Sequence, residues 1–447
     1  MNASSQPSDP LTPEGEADDA HYLRAVTDMA ERCNVVAQDA IYTDGGIKLL
    51  DKGARVDSRL YERLVQHKLR GSIDHQLSVD DAVTVASLVE MAQRQCASDP
   101  LATMLAQSAG QAGRLLAPLR AMPLPAPMAF KLTVMREQRP DLLEHSVRMT
   151  LVALYLGVQS GWSERDCVPL AAAALLHDIG VLHMDPVWRD PEHKVTGAGR
   201  KHLVAHPVTA MVVIRSLQAY PDSVEVAVLE HHERMDGSGY PRSLAGAQIS
   251  PMGQVLLLAE VVSAFFEKYS DAPAQRLSLS LRLNHRKFPP ALTALLLPLL
   301  QQAPAGADLS TVQRDVAHCI EVLSQAFSSW KAVRAAMPAS ALALPSGRAS
   351  AFIDMRMAAL QKALYEAGSH PQQQAEILQH LENDAQGMAE LALLGREALW
   401  QLQSILNASH SRWPHLAEPA APMERRDVGD TAVADWRDAC AQALSGV

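Results

Sequence analysis

A chain of 447 residues, 48% of them hydrophobic, is long enough for two or three domains with a sizeable core. Aromatic residues make up only 4%, and runs rich in Val, Ile, Thr and Tyr are scarce, so an all-β architecture is excluded and a mainly α protein is predicted. The formal net charge of -10, without a dense basic cluster, argues against broad attraction to a nucleic acid polymer or an anionic membrane.

Residues 1–20 are acidic and rich in Ser and Pro, with neither a basic start nor an apolar run, and read as a disordered lead. Around Asp44-Gly45-Gly46, short β-compatible runs predict a hairpin turn within a small α+β module spanning 21–120. Three prolines in AMPLPAPMAF mark a linker at 121–130. Apolar helices then fill 131–303, amphipathic helices follow over 311–409, and 415–447 reads as a poorly ordered tail. The longest apolar stretch, residues 291–300, is interrupted by Pro298 and is shorter than the roughly 20 residues a bilayer needs, so no membrane span is expected. Five dispersed cysteines without CxxC spacing fit reduced thiols and a cytoplasmic location.

The chemistry-bearing residues cluster within 131–303. Asp141 and His145 stand four apart, on one face of a helix, a spacing that permits a shared cation and also occurs on ordinary solvated faces. SERDCVPLAAAALLHDIG predicts a helix started by Ser163 that carries His177 and Asp178 out of an apolar run. His206 precedes Pro207, which suits the first turn of a helix. The next helix delivers His231 and His232 directly before a glycine-rich turn that lets both imidazoles face inward. Glu260 lies among apolar neighbours, where an uncompensated carboxylate costs several kcal/mol and a cation is an effective compensation. Five histidines and three carboxylates without a thiolate exceed the needs of one zinc ion and suit two or three divalent ions, iron or manganese. Such a centre can deprotonate a bridging water while clamping phosphate oxygens, the chemistry of phosphoester hydrolysis.

HHERMDGSGYP at 231–241 resembles the HHExxDGxGYP signature of the HD-GYP family, a branch of the HD-domain metal-dependent phosphohydrolases that hydrolyse cyclic di-GMP. LLHDIG is similar to its HD motif, His145-Ser146 to its first histidine, and the likeness covers 131–303. The resemblance implies an HD-domain helical bundle with metal ligands Asp141, His145, His177, Asp178, His206, His231, His232 and Glu260. It implies catalytic roles for His177 and Asp178, with Gly239, Tyr240 and Pro241 lining the substrate pocket. The expected activity is a phosphodiesterase that opens cyclic di-GMP to pGpG, and onward to GMP, through a metal-bridged hydroxide.

Several positions depart from the family pattern. Asp141 stands where the family has Glu, and Glu260 where it has Asp. Val181 occupies the place of a lysine, and SAFFEKYSDA replaces an arginine-bearing segment; Arg200, Lys201 and Lys268 are candidate substitutes. The losses leave room for a degenerate member acting as a cyclic di-GMP receptor or signalling scaffold, and for an HD phosphohydrolase acting on another nucleotide. Residues 34–67 resemble a segment that precedes HD-GYP domains, read as a regulatory or dimerising module that pairs with a second copy or a signalling protein.

Overall fold

The computed structural model describes residues 19–110, 112–189, 204–270, 273–300, 309–337, 345–366, 369–373, 385–413 and 428–444. The protein is mainly α-helical, as its composition predicts. It forms two compact units, Met1–Ala264 and Phe265–Val447.

The first unit begins with α1 (Ala20–Ala30), whose N-cap Asp19 accepts from the backbone N–H groups of His21 and Tyr22. Residues 1–18 of the expected lead lie outside the described residues. Two small antiparallel pairs follow: β1 (Val35–Ala37) with β4 (Leu77–Val79), and β2 (Ile41–Tyr42) with β3 (Lys48–Leu50). The turn between β2 and β3 contains Gly46 at φ 81°, as the Asp-Gly-Gly signal requires. With α2 (Tyr61–Val65), these elements make the α+β module.

Helices α3 (Val85–Ser98), α4 (Pro100–Ser108) and α5 (Ala112–Ala121) lead into α6 (Ala126–Gln138). The start of α3 carries a reciprocal cap between Thr84 and Ser87. In α6, Met128 and every residue from Phe130 to Met135 are buried, including Lys131. Next come α7 (Pro140–Gln159) and α8 (Glu164–Leu176), the latter capped by Ser163 as the sequence predicts. Residues 164–183 satisfy the length and hydropathy of a membrane span, yet 78% of that window is buried within the protein, where α8 is a core helix packed on α7. The unit continues with α9 (His206–Ser216), α10 (Asp222–Glu230) and α11 (Pro251–Lys268), and the division between units falls inside α11.

The second unit comprises α12 (Pro273–Leu283), α13 (Pro290–Leu300), α14 (Leu309–Ala336), α15 (Pro345–Glu366), α16 (Ala385–Arg412) and α17 (Val428–Leu444). A core built on Leu323, Phe327, Trp330, Ile353, Leu402 and Trp436 holds most of it together. Here the expectation of a poorly ordered tail is corrected. Val433, Trp436 and Cys440 recur at helical spacing on α17 and are buried, and the Trp436 indole N–H donates to the Ala326 carbonyl.

Candidate metal centre

Four structural elements and one turn aim side chains at a common point inside the first unit. Helix α7 contributes His145, the end of α8 contributes His177 and Asp178, the first turn of α9 contributes His206, and α11 contributes Glu260. The end of α10 delivers His231 and His232. Two groups close to within 4.8 Å: Asp178, His206, His231 and His232 form one, and His145, His177 and Asp178 the other. Asp178 belongs to both, so its carboxylate is placed to serve two neighbouring positions.

Local packing makes this convergence possible. After His177 the chain tightens into the 3-10 turn Ile179–His183. A side chain on Gly180 would collide with the backbone of His206 and Ala210, so glycine here allows the turn to seat directly on α9. Gly239 plays the same part in the glycine-rich loop, lying against the backbone of Glu233 and Arg234. Tyr240 can then donate its backbone N–H to the His232 carbonyl and stack its ring on His232, with centroids 4.7 Å apart. Buried Glu233 anchors the loop by accepting from the backbone N–H groups of Arg242 and Leu244. Glu230, 2% exposed, takes the Arg242 guanidinium together with the Ser250 backbone N–H and hydroxyl.

The donor chemistry suits divalent cations. His177 Nδ1 lies 2.8 Å from the Ala174 carbonyl and His231 Nδ1 2.6 Å from the Val228 carbonyl. Each carbonyl can only accept, so Nδ1 carries a proton and Nε2 is left as the nitrogen that faces the site, the arrangement outer partners impose on metal-binding imidazoles. Burial, reinforced by His232, holds His231 well below the usual imidazole range, and burial pushes His232 down to about 3. Both rings are therefore neutral, as ligation requires. Burial alone would raise the carboxyls of Asp178 and Glu260, but their histidine neighbours override it and hold both well below the usual range.

Two atoms carry the test of fit. Among the described residues, His177 Nε2 and Asp178 Oδ1 are buried without a hydrogen-bond partner, with His206 Nε2 3.2 Å from that Oδ1. Orphaned polar atoms in a buried site are costly, and a cation satisfies both at once. Glu260 Oε2 completes the set, 3.0 Å from His145 Nε2 and 3.5 Å from His177 Nε2.

Seven of the eight residues expected as ligands are thus brought together. Asp141 is not: it lies exposed in the first turn of α7, outside both groups. Of the expected pocket residues, Tyr240 borders the site through His232, with Gly239 and Pro241 beside it in the loop. Val181 is buried, 6% exposed, in the 3-10 turn. Among the candidate substitute cations, Arg200 and Lys201 lie outside the described residues, and Lys268 stands 4.9 Å from the Trp400 ring in the second unit. The loop anchors Glu230 and Glu233 are not among the residues expected from the sequence, although Glu233 stands within the HHE motif itself.

Comparison with known proteins agrees with this geometry. Residues 133–286 match the HD domain family. Over 125 residues the chain is 31% identical to the 3'3'-cGAMP-specific phosphodiesterase 3 of Vibrio cholerae, covering 28% of this chain and 27% of that protein. It is 23% identical over 183 residues to the cyclic di-GMP phosphodiesterase PdeB of Borreliella burgdorferi, covering 40% and 48%. With the cyclic di-GMP phosphodiesterase response regulator RpfG of Xanthomonas campestris it shares 34% identity over 119 residues, covering 26% and 31%. The chain therefore spans less than half the length of each of these relatives.

Proposed function

From a chain that is an HD-GYP family member through the HD domain at 133–286, we infer a metal-dependent phosphodiesterase that opens cyclic di-GMP to pGpG, and onward to GMP. The family is one of phosphodiesterases with divalent metal ions, and its named relatives act on cyclic di-GMP or 3'3'-cGAMP. What carries the reading is the pair of orphaned atoms, His177 Nε2 and Asp178 Oδ1, within a ring of five histidines and two carboxylates.

In this reading His145, His177, Asp178, His206, His231, His232 and Glu260 hold two divalent ions. Iron or manganese suits the nitrogen and oxygen donors. Bound there, the ions supply Lewis acidity toward a phosphoryl oxygen and acidify water. The protein's own residues set the geometry: Ala174 and Val228 hold the Nδ1 protons of His177 and His231, and Tyr240 keeps the His232 ring in place. The GYP loop borders the substrate. Arg234, whose guanidinium donates to the Glu233 carbonyl at the start of the glycine-rich loop, is the cation proposed to meet a phosphate in place of the lysine that Val181 replaces. The protein acts in the cytoplasm, where a cyclic dinucleotide messenger is found.

The experiment is chromatography of products after metal-assayed protein is incubated anaerobically with cyclic di-GMP and iron or manganese. Formation of pGpG or GMP, absent from the His177→Ala/Asp178→Ala variant, supports the assignment. A metal-loaded protein that binds cyclic di-GMP without product would overturn it in favour of a receptor or scaffold, the reading that buried Val181 favours.

A further inference from the structure

Five residues beyond Asp178, the 3-10 turn ends in a second polar cluster, partly exposed at Asp19 and buried at Lys131 and Asp74. His183 Nδ1 lies 2.6 Å from Asp19 Oδ2, and its Nε2 is 3.4 Å from Lys131 Nζ. Lys131 Nζ is also 2.6 Å from Asp74 Oδ2, with the two side chains 6% and 1% exposed. The Tyr22 hydroxyl donates to the other oxygen of Asp74. The Tyr22 ring stacks on His183 with centroids 4.6 Å apart, and Lys131 Nζ sits 3.8 Å from the centroid of that same ring.

These contacts dictate the state of His183. An ammonium only donates, so Nε2 must accept from Lys131, and Nδ1 therefore carries the proton that goes to Asp19. Burial and the Lys131 charge push the imidazole down, against the opposing pull of Asp19, in keeping with a neutral ring. Asp19 and Tyr22 come from α1 and its cap, Asp74 from the 3-10 turn Ile73–His75, and Lys131 from α6. The N-terminal module thus holds one end of a turn whose other end is Asp178.

The turn has little slack between those ends. The Val181 backbone N–H donates to the Asp178 carbonyl at 2.9 Å, and Gly180 is seated against the backbone of α9, which itself begins with His206. A shift of His183 therefore passes to Asp178 and His206 through backbone contacts. Stability alone is a poor account of such a cluster, because a buried ion pair is often no better than an apolar replacement of the same volume.

We propose that His183 is a positioning residue for the metal centre, locked by Asp19, Tyr22, Asp74 and Lys131, so that the N-terminal module sets the placement of Asp178. The inference rests on the proposed metal-dependent phosphodiesterase reading. It makes the module an input to the site: whatever displaces α1 weakens metal binding and slows turnover.

The test uses the full chain and two substitutions. His183→Phe keeps the ring stack but loses both hydrogen bonds, whereas His183→Asn restores a donor toward Asp19. Mn2+ affinity is measured by titration calorimetry, kcat and KM with cyclic di-GMP, and folding by thermal melting of the metal-free protein. For His183→Phe, Mn2+ affinity and kcat should each fall about tenfold with KM within twofold, the scale of losses seen for outer-shell partners. His183→Asn should recover both to within about threefold of the parent. A folded His183→Phe protein with parental Mn2+ affinity overturns the proposal, as does equal loss in both variants. Should His183→Phe fail to fold, Tyr22→Phe, which keeps the ring and removes the hydroxyl that donates to Asp74, must itself lower Mn2+ affinity. If the parent binds Mn2+ but gives no product, the phosphodiesterase reading falls while the Mn2+ affinities still decide this one.

Discussion

Nε2 of His206 and Nε2 of His231 lie 3.2 Å apart inside the metal centre. With its Nδ1 proton committed to the Val228 carbonyl, His231 can offer only a lone pair at that distance. A divalent cation shared with Asp178 would take up that lone pair in place of the His206 contact. Mn2+ should therefore raise the melting temperature of the parent, by an amount that grows with concentration as ligand linkage requires. His231→Ala should reduce that rise to a small fraction and lower bound metal at least tenfold. Metal content measured by mass spectrometry alongside the melts checks both, and an undiminished rise in the variant would contradict ligation by His231.

Asp141 and Asp178 should behave differently under the same conservative change. Asp178 is buried between two ligand groups, whereas Asp141 is exposed outside them. Asp141→Asn should leave metal content and turnover within about twofold of the parent, and Asp178→Asn should lose most of both. Metal loss in the Asp141 variant would show that α7 moves to bring it into the site.

Gly239 has no room for a side chain against the Glu233 backbone. Gly239→Ala should displace the loop and unstack Tyr240 from His232. Small overpacking changes cost about 1–3 kcal/mol, and here the cost should appear mainly in the loop. Turnover should fall more than tenfold while the global melt shifts by only a few degrees. Kinetics and calorimetry on the same sample separate the two, and parental turnover would show that the loop contacts are dispensable.

Glu397, in the second unit, is 7% exposed, and burial raises its carboxyl to about 7. The native state then keeps a proton that the unfolded chain sheds above its ordinary value of 4.5. Stability contributed by this group is greatest below that value, declines as pH rises toward 7 and levels off above it. At about 1.4 kcal/mol per pH unit, the loss amounts to about 3–4 kcal/mol at most. Glu397→Gln should flatten the decline and make the protein more stable than the parent at pH 8. Urea unfolding at pH 4.5 and pH 8 measures this, and a parallel shift of both proteins would rule out Glu397 as the source.

The mainly α architecture and the local faces on which polar groups stand follow from short-range patterns along the chain. Scarce strand formers, the Ser163 cap, Pro207 in the first turn of α9 and the glycine-rich loop all act over a few residues, so their effects were readable in order along the chain. The charge of Glu260 in an apolar run was an equally local signal. The helix at 428–444 was missed because its burial depends on a groove made by distant helices, including Ala326 of α14.

Which of these groups meet depends on how distant helices pack. His145 and Glu260 are 115 residues apart, and no spacing rule relates them. Their contact depends on helix packing, which also leaves Asp141 in solvent although it shares a helix with His145. The Lys131 cluster shows the same limit: a lone lysine in AFKLTVM signals a buried charge, but its partners Asp74, Tyr22 and His183 come from three other segments. Helical periodicity acts through neighbouring turns, whereas ligand geometry and buried ion pairs arise where separate elements close on one another.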